Sequence, residues 1–263
     1  PKSHPIRWPY GPWPASKRTC SLSGDEARNG IGGPIERKMT RRHSGDMLQK
    51  TSDRPEDSDN VLVLVRHGQS EWNRLNMFTG WKDVGLSEEG VAEAHRAGQR
   101  LKEEGLVFDS AFASTLKRAH NTLDMILGEV GQGKLPIIKA AALNERDYGD
   151  LVGINKEEAR KRFGAEKVQI WQRSYDVAPP GGESLKDTAA RVCPFFDRWI
   201  VPELQSGKNV IVVAHGNSLR SLIMELDKLT PEEVQHYSLA TATPVIYRVQ
   251  ADGSLAEKRS LAA

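Results

Sequence analysis

The sequence predicts an α/β protein, a three-layer αβα sandwich built around a mostly parallel central sheet. Three observations lead there. Two short apolar runs, residues 61–65 and Val210–Ala214, read as strands buried on both faces. Segments with helical spacing alternate with further strand candidates, the pattern of βα units. Each apolar run also closes on the same pair of residues, His67-Gly68 in the first and His215-Gly216 in the second. In an open α/β sheet, ligands bind beyond the carboxyl ends of the strands.

The elements follow in order. After the strand at 61–65, Ser87 is a natural N-cap, and Glu88 and Glu89 suit the positive end of a helix dipole. Val91, Ala94, Gly98 and Leu101 recur at helical spacing, and Gly105 ends that helix. Residues 111–114 form a short strand running into a helix that begins near Leu116, and 136–139 form another strand. Ser184 opens a helix with Pro194 in its interior, which predicts a kink. A strand at 209–214, a helix at 219–226 and a last strand at 244–249 complete the frame.

Composition narrows the function classes. The chain has 263 residues and a net charge of +2, from 37 basic and 35 acidic residues, which gives no electrostatic case for bulk nucleic-acid binding. Its two cysteines, Cys20 and Cys193, lie far apart and match no metal-ligand spacing, as expected of a reducing compartment. The apolar runs are too short to span a bilayer, so a soluble, cytoplasmic protein is expected. Residues 1–59 hold seven of the 14 prolines and the basic pairs Arg37-Lys38 and Arg41-Arg42, without periodicity. They read as a disordered N-terminal extension, and residues 60–263 as the folded domain. Asp25, Glu26 and Glu36 weigh against a transit peptide, and a biological start at Met39 or Met47 is the other reading.

The polar residues point to an anion. A histidine at a strand end can be a nucleophile, a base or a metal ligand, and a metal would need a third ligand beside His67 and His215. Arg66 and Arg220, near the two His-Gly turns, favour a phosphate pocket instead, because a guanidinium presents a planar fork of donors. Arg118 falls in the first turn of a helix, where a cation opposes the dipole and a bound anion would account for it. Taken singly, Arg118 also reads as a surface arginine and Glu145 as an ordinary loop carboxylate.

Together, Arg66-His67-Gly68-Gln69-Ser70-Glu71-Trp72-Asn73, Phe78-Thr79-Gly80-Trp81, the run from Ser114 to Ala119, the run from Leu143 to Gly149, and His215-Gly216-Asn217-Ser218 resemble the 2,3-bisphosphoglycerate-dependent phosphoglycerate mutases of the histidine phosphatase superfamily, in their short bacterial form. The resemblance spans roughly residues 60–258 and implies a phosphoglycerate mutase-like fold. It implies that His67 carries a phosphoryl group, that Arg66, Arg118 and His215 surround it, and that Glu145 moves the proton of the substrate hydroxyl. It places Asn73, Thr79, Gly80, Arg146, Tyr148, Lys156, Gln172, Arg173, Gly216 and Asn217 on substrate-binding positions. The implied primer is 2,3-bisphosphoglycerate without a metal, and the implied partners are small phosphorylated three-carbon acids. Neither nucleic acid nor membrane is expected, and a homo-oligomer stays open.

Two departures from the family pattern stand out. Gln172 occupies a position where the family commonly carries an arginine, which predicts weaker ligand affinity there. The segment at 179–183 is brief, and the sequence ends soon after Lys258; a shorter covering segment would admit more water to a phosphohistidine. A phosphatase or bisphosphoglycerate-directed activity is therefore the second reading. A non-catalytic interaction protein is the third, and the joint presence of Arg66, His67, Arg118, Glu145 and His215 argues against it.

Overall fold

The computed structural model describes residues 60–250 and 253–262. The expectations for the N-terminal extension and for Cys20 lie outside the described residues. In chain order the elements are β1 (Asn60–Arg66), α1 (Glu71–Arg74), α2 (Glu88–Glu103), β2 (Ser110–Ser114), α3 (Lys117–Val130), β3 (Ile137–Ala140), α4 (Lys156–Phe163), α5 (Ala165–Arg173), α6 (Leu185–Phe195), α7 (Val201–Gln205), β4 (Val210–Ala214), α8 (Gly216–Asp227), α9 (Pro231–His236), β5 (Pro244–Val249) and β6 (Leu255–Ser260). The sheet order is β3-β2-β4-β1-β5-β6. The first four strands in that order pair in parallel, and β5 runs antiparallel to both β1 and β6.

The apolar runs form the centre of the sheet because they can be buried on both faces. Leu62, Leu64, Val210 and Val212 face a core shared with residues of α6, α7 and α8. Val63, Val65, Ile211 and Val213 face the other way, against α2 and α3. Each such fully buried aliphatic side chain stabilises the fold by about 1.5–3 kcal/mol. The period-2 alternation thus builds the three layers that the sequence predicts. A smaller cluster of Phe78, Leu151, Ala159, Val168 and Trp171 ties α4 and α5 to neighbouring loops.

Two predicted features need correction. The strand at 244–249 is not the last, because β6 follows it as an edge strand. Glu257, Lys258 and Arg259 along β6 hid it from a reading based on apolar pattern, and charged residues are what suits an unpaired edge. Pro194 does not simply kink its helix: α6 passes into a wide π turn over Phe196–Ile200 before α7. Proline has no N–H for the i−4 carbonyl, and a wider turn nearby accommodates the break in the ladder.

Helix α2 starts unusually close to the turn after β1. Ser87 caps it by accepting from Gly90 N–H at 3.1 Å, and Ser87 N–H donates to the Gln69 carbonyl at 2.9 Å. A Cβ at Gly90 would lie 1.9 Å from the Gln69 carbonyl oxygen, and one at Gly68 would lie 2.3 Å from the Gly90 oxygen. Both positions therefore require glycine. Gly90→Ala is expected to cost about 1–3 kcal/mol through overpacking, seen as a lower urea midpoint. An unchanged midpoint would show that the turn yields freely.

Candidate active site

The parallel pairing of β1 with β4 sets Arg66 opposite Ala214, so the two His-Gly turns leave the sheet side by side. His67 N–H donates to the Ala214 carbonyl at 3.0 Å, and the His67 and His215 rings meet edge to face with centroids 4.9 Å apart. His67 Nδ1 lies 2.6 Å from the Gly68 carbonyl oxygen. A carbonyl can only accept, so Nδ1 carries the proton and Nε2 keeps its lone pair. Burial first, and then the charges of Arg118 and Arg66, hold His67 well below the usual histidine pKa, although its bond to Gly68 acts the other way. The ring is neutral at neutral pH and lines a cavity of about 300 Å³.

His215 is fully buried behind His67, with Nε2 2.6 Å from Ser114 Oγ. Burial, Arg118 and His67 lower its pKa in the same way. Its Nδ1 has no protein hydrogen-bond partner. Arg118 sits in the first turn of α3; that turn contains no acidic residue, and the helix has no side-chain cap. Its guanidinium is aimed by the carbonyls of Lys82 and Gly80, each at 2.9 Å, leaving Nε without a protein partner. Burial lowers its pKa to about 10, which leaves it charged at neutral pH. Arg66 donates through Nη1 to the Leu239 carbonyl at 2.7 Å, and its Nε is likewise unpartnered.

Glu145 sits on a loop held at many points. Its Oε1 accepts from the backbone N–H groups of Arg146 at 2.8 Å and Asn217 at 3.0 Å. Its carbonyl accepts from Trp81 Nε1 and from Arg191 Nη2. Arg191, on α6, also donates to the carbonyls of Ala142 and Asn144 and pairs with Glu183 at 2.8 Å. Glu183 in turn accepts from Asp147 N–H at 3.0 Å, so the loop is clamped on both sides of Glu145.

The structure gathers almost all the residues singled out in the sequence around this cavity. Arg66, His67, Asn73, Thr79, Gly80, Arg118, Glu145, Tyr148, Lys156, Gln172, Arg173, Gly216 and Asn217 line it. Thr79 Oγ1 is buried without a protein partner, and Gly80 adopts a φ of +52°, which lets its carbonyl meet Arg118. Lys156 is the first residue of α4, and burial lowers its pKa. Arg146 and His215 do not line the cavity. Arg146 is fully buried beneath Tyr148, donating to the Tyr148 hydroxyl at 3.2 Å and to the Gln172 carbonyl at 2.9 Å. Asn217 Nδ2 donates to the same hydroxyl at 3.1 Å. Burial pushes the Tyr148 phenol up, but the Arg146 charge and these hydrogen bonds outweigh it, and its pKa falls.

The sequence reading left Arg160, Ser238 and Leu239 out of the site and placed Arg220 only near a turn; all four line the cavity. Arg160 follows Lys156 by four residues on one helix face, a spacing visible in the sequence. Arg220 is four residues beyond Gly216 on α8, and burial lowers its pKa to about 10. Nothing local marks Ser238 or Leu239, which arrive from the α9–β5 connection. Six cations (Arg66, Arg118, Lys156, Arg160, Arg173 and Arg220) line the cavity with a single carboxylate, Glu145. Such a site is built for a small, multiply charged anion. Among the described residues, no group of three or more His, Cys, Asp or Glu is arranged to hold a metal ion, and no helix is long and apolar enough to cross a membrane.

A paired histidine and arginine cluster at parallel strand ends defines a phosphoryl-handling class of α/β protein. The chain belongs to the histidine phosphatase superfamily (branch 1), whose pattern it matches over residues 62–260. It is 60% identical over 205 residues to a Bradyrhizobium diazoefficiens protein named 2,3-bisphosphoglycerate-dependent phosphoglycerate mutase, covering 78% of this chain and 99% of that one. A Nitrobacter hamburgensis protein of the same name is 60% identical over 206 residues, covering 78% and 100%. Among solved structures, a mycobacterial glucosyl-3-phosphoglycerate phosphatase complexed with VO3 superposes with a TM-score of 0.64 at 27% identity, covering 72% of this chain and 92% of that one.

The two depressed histidines make stability depend on pH. Their rings take up protons near pH 6.5 in the unfolded chain and resist doing so in the fold, so the unfolded state binds more protons as pH falls. Their contribution is complete above about pH 6.5 and is lost on acidification, at up to about 1.4 kcal/mol per pH unit for each ring. Urea unfolding between pH 7.5 and 5.5 should show this slope, and a variant carrying both His67→Asn and His215→Asn should show a shallower one. An equal slope in that variant would exclude the two rings as its source.

Proposed function

We propose that this protein interconverts 3-phosphoglycerate and 2-phosphoglycerate in glycolysis and gluconeogenesis, passing the phosphoryl group through His67 after priming by 2,3-bisphosphoglycerate. The observation that carries the chemistry is the neutral His67 ring, with Nδ1 committed to Gly68 and Nε2 left to a cationic cavity. What favours a mutase is the 60% identity to relatives named as such over nearly their whole length.

In this reading His67 Nε2 attacks phosphorus while the bond to the donor oxygen breaks, and that oxygen takes a proton from Glu145. In the second half-reaction Glu145 accepts the proton of the attacking hydroxyl. Arg66 and Arg118 stabilise the equatorial oxygens of the in-line transition state, with His215 backing the nucleophile. Both residues line the cavity that would receive those oxygens. Lys156, Arg173, Tyr148 and Asn217 hold the far carboxylate or second phosphate, Asn73, Thr79, Gly80 and Gly216 shape the walls, and Arg146 aims Tyr148. This bisphosphate primer suits the six lining cations, and the positive charge that the reaction needs comes from side chains. The catalytic unit is residues 60–263 in this proposal, acting in the cytoplasm on small phosphorylated acids.

Hydrolysis is the second reading, favoured by the likeness to a solved phosphatase. Supplying 3-phosphoglycerate with catalytic 2,3-bisphosphoglycerate, and following 2-phosphoglycerate and free phosphate together, separates the two. Isomer should form far faster than phosphate; the reverse would replace the mutase with a phosphatase. His67→Ala should lower kcat by more than about a thousandfold, because it removes the covalent carrier. Glu145→Gln should lower it by about 10²–10⁴-fold, the range for a lost general acid–base. Full activity in His67→Ala would rule out a phosphohistidine.

A further inference from the structure

We propose that Glu93 governs the nucleophile as a positioning residue, acting on His67 through the peptide group between Gly68 and Gln69. The two sides of that peptide are engaged separately. Its carbonyl oxygen, on Gly68, accepts from His67 Nδ1 at 2.6 Å. Its N–H, on Gln69, donates to Glu93 Oε2 at 2.7 Å. A carboxylate bound to the N–H side polarises the amide and makes the carbonyl oxygen a stronger acceptor, since linked hydrogen bonds reinforce one another. The stronger acceptor keeps the proton on Nδ1 and the lone pair on Nε2, where attack on phosphorus requires it.

The peptide groups on either side of it are fixed by hydrogen bonds of their own. The Gln69 carbonyl accepts from both Ser87 N–H and Ser87 Oγ, at 2.9 and 3.1 Å. Gly68 N–H donates to Thr122 Oγ1 at 3.1 Å. The missing side chains of Gly68 and Gly90 let the first turn of α2 lie directly against this peptide, which brings Glu93, three residues beyond Gly90, to the Gln69 N–H. The other carboxylate oxygen of Glu93 accepts from Thr241 Oγ1 at 2.8 Å.

The inference rests on the phosphohistidine reading, and the chemistry of that step shows the need. The Nε2–P bond forms, the P–O bond of the donor breaks with its electron pair on oxygen, and Glu145 protonates that oxygen. The ring retains its Nδ1 proton, so it becomes positively charged while Arg66 and Arg118 stand close to it. Glu145 is occupied with the leaving oxygen. Glu93 is the carboxylate joined to the opposite, Nδ1 side of the ring.

The test uses the full chain and the variants Glu93→Gln and Thr241→Ala. The amide of Glu93→Gln can still accept from Gln69 N–H and donate to the Thr241 hydroxyl, so the contacts survive while the charge goes. Three quantities are read: the rate of His67 labelling by 32P-labelled 2,3-bisphosphoglycerate, kcat and KM for 3-phosphoglycerate, and the 15N shifts of the His67 ring. Glu93→Gln should slow labelling and kcat about tenfold, the low end of the loss seen when metal-bound histidines lose their outer hydrogen-bond partner, with KM changed less than about twofold and the Nδ1 resonance displaced. Thr241→Ala, which keeps the charge, should stay within about twofold of wild type throughout. Glu93→Ala, which loses charge and bonds together, should be slower than Glu93→Gln. Labelled wild type alongside a Glu93→Gln protein of equal rate and unchanged ring shifts would overturn the role of Glu93 alone. A wild-type chain that takes no label would overturn the phosphohistidine reading, and with it any effect of Glu93 on catalysis.

Discussion

The register between β1 and β4 is the constraint on which the rest of the site depends. Arg66 lies opposite Ala214, so both strands end at one level and their following histidines meet edge to face. Helix α8 then begins at Gly216, which turns Asn217 N–H toward Glu145. A slip of one residue would send alternate side chains to the wrong face, and the burial of both faces of β1 and β4 forbids it. Packing of the central strands therefore sets the geometry of the chemistry.

That geometry concentrates positive charge in a chain whose net charge is only +2. The same field has two effects. It favours multiply charged anions in the cavity, and it disfavours protonation of His67 and His215, whose pKa values are lowered by burial and by the neighbouring guanidiniums. In the proposed mechanism the nucleophilic histidine must be neutral, so guanidiniums that would hold a phosphoryl oxygen would also keep the attacking nitrogen available.

The sheet and its helices do not distinguish isomerisation from hydrolysis, because a phosphatase of 27% identity shares them. The distinction lies in how the walls treat water and the second substrate oxygen. One wall is the loop carrying Glu145, clamped by Arg191, Glu183 and Trp81. Such a clamp holds the Glu145 carboxylate to a narrow range of positions. Gln172, on α5, adds an uncharged side chain to the lining of the cavity.

Much of this was legible along the chain. The apolar runs and their His-Gly endings mark β1 and β4, Ser87 marks the start of α2, and Arg118 falls in a first turn without acidic residues, where a bound anion would account for it. These signals are local, set by burial, capping and the helix dipole. The family resemblance supplied Glu145 and the binding positions that isolated residues left open. The edge strand β6 escaped because an exposed strand needs no apolar pattern, and Ser238 and Leu239 escaped because no local feature distinguishes them. Arg146 has the composition of a ligand-binding residue but lies beneath Tyr148, and the link from Glu93 to His67 joins residues on separate elements. By itself, then, the sequence determined which segments are buried strands, where they end and which chemistry stands at those ends. Only the tertiary structure decided which side chains face the cavity and which support them from behind, because that depends on contacts between distant segments that exist only once the sheet has assembled.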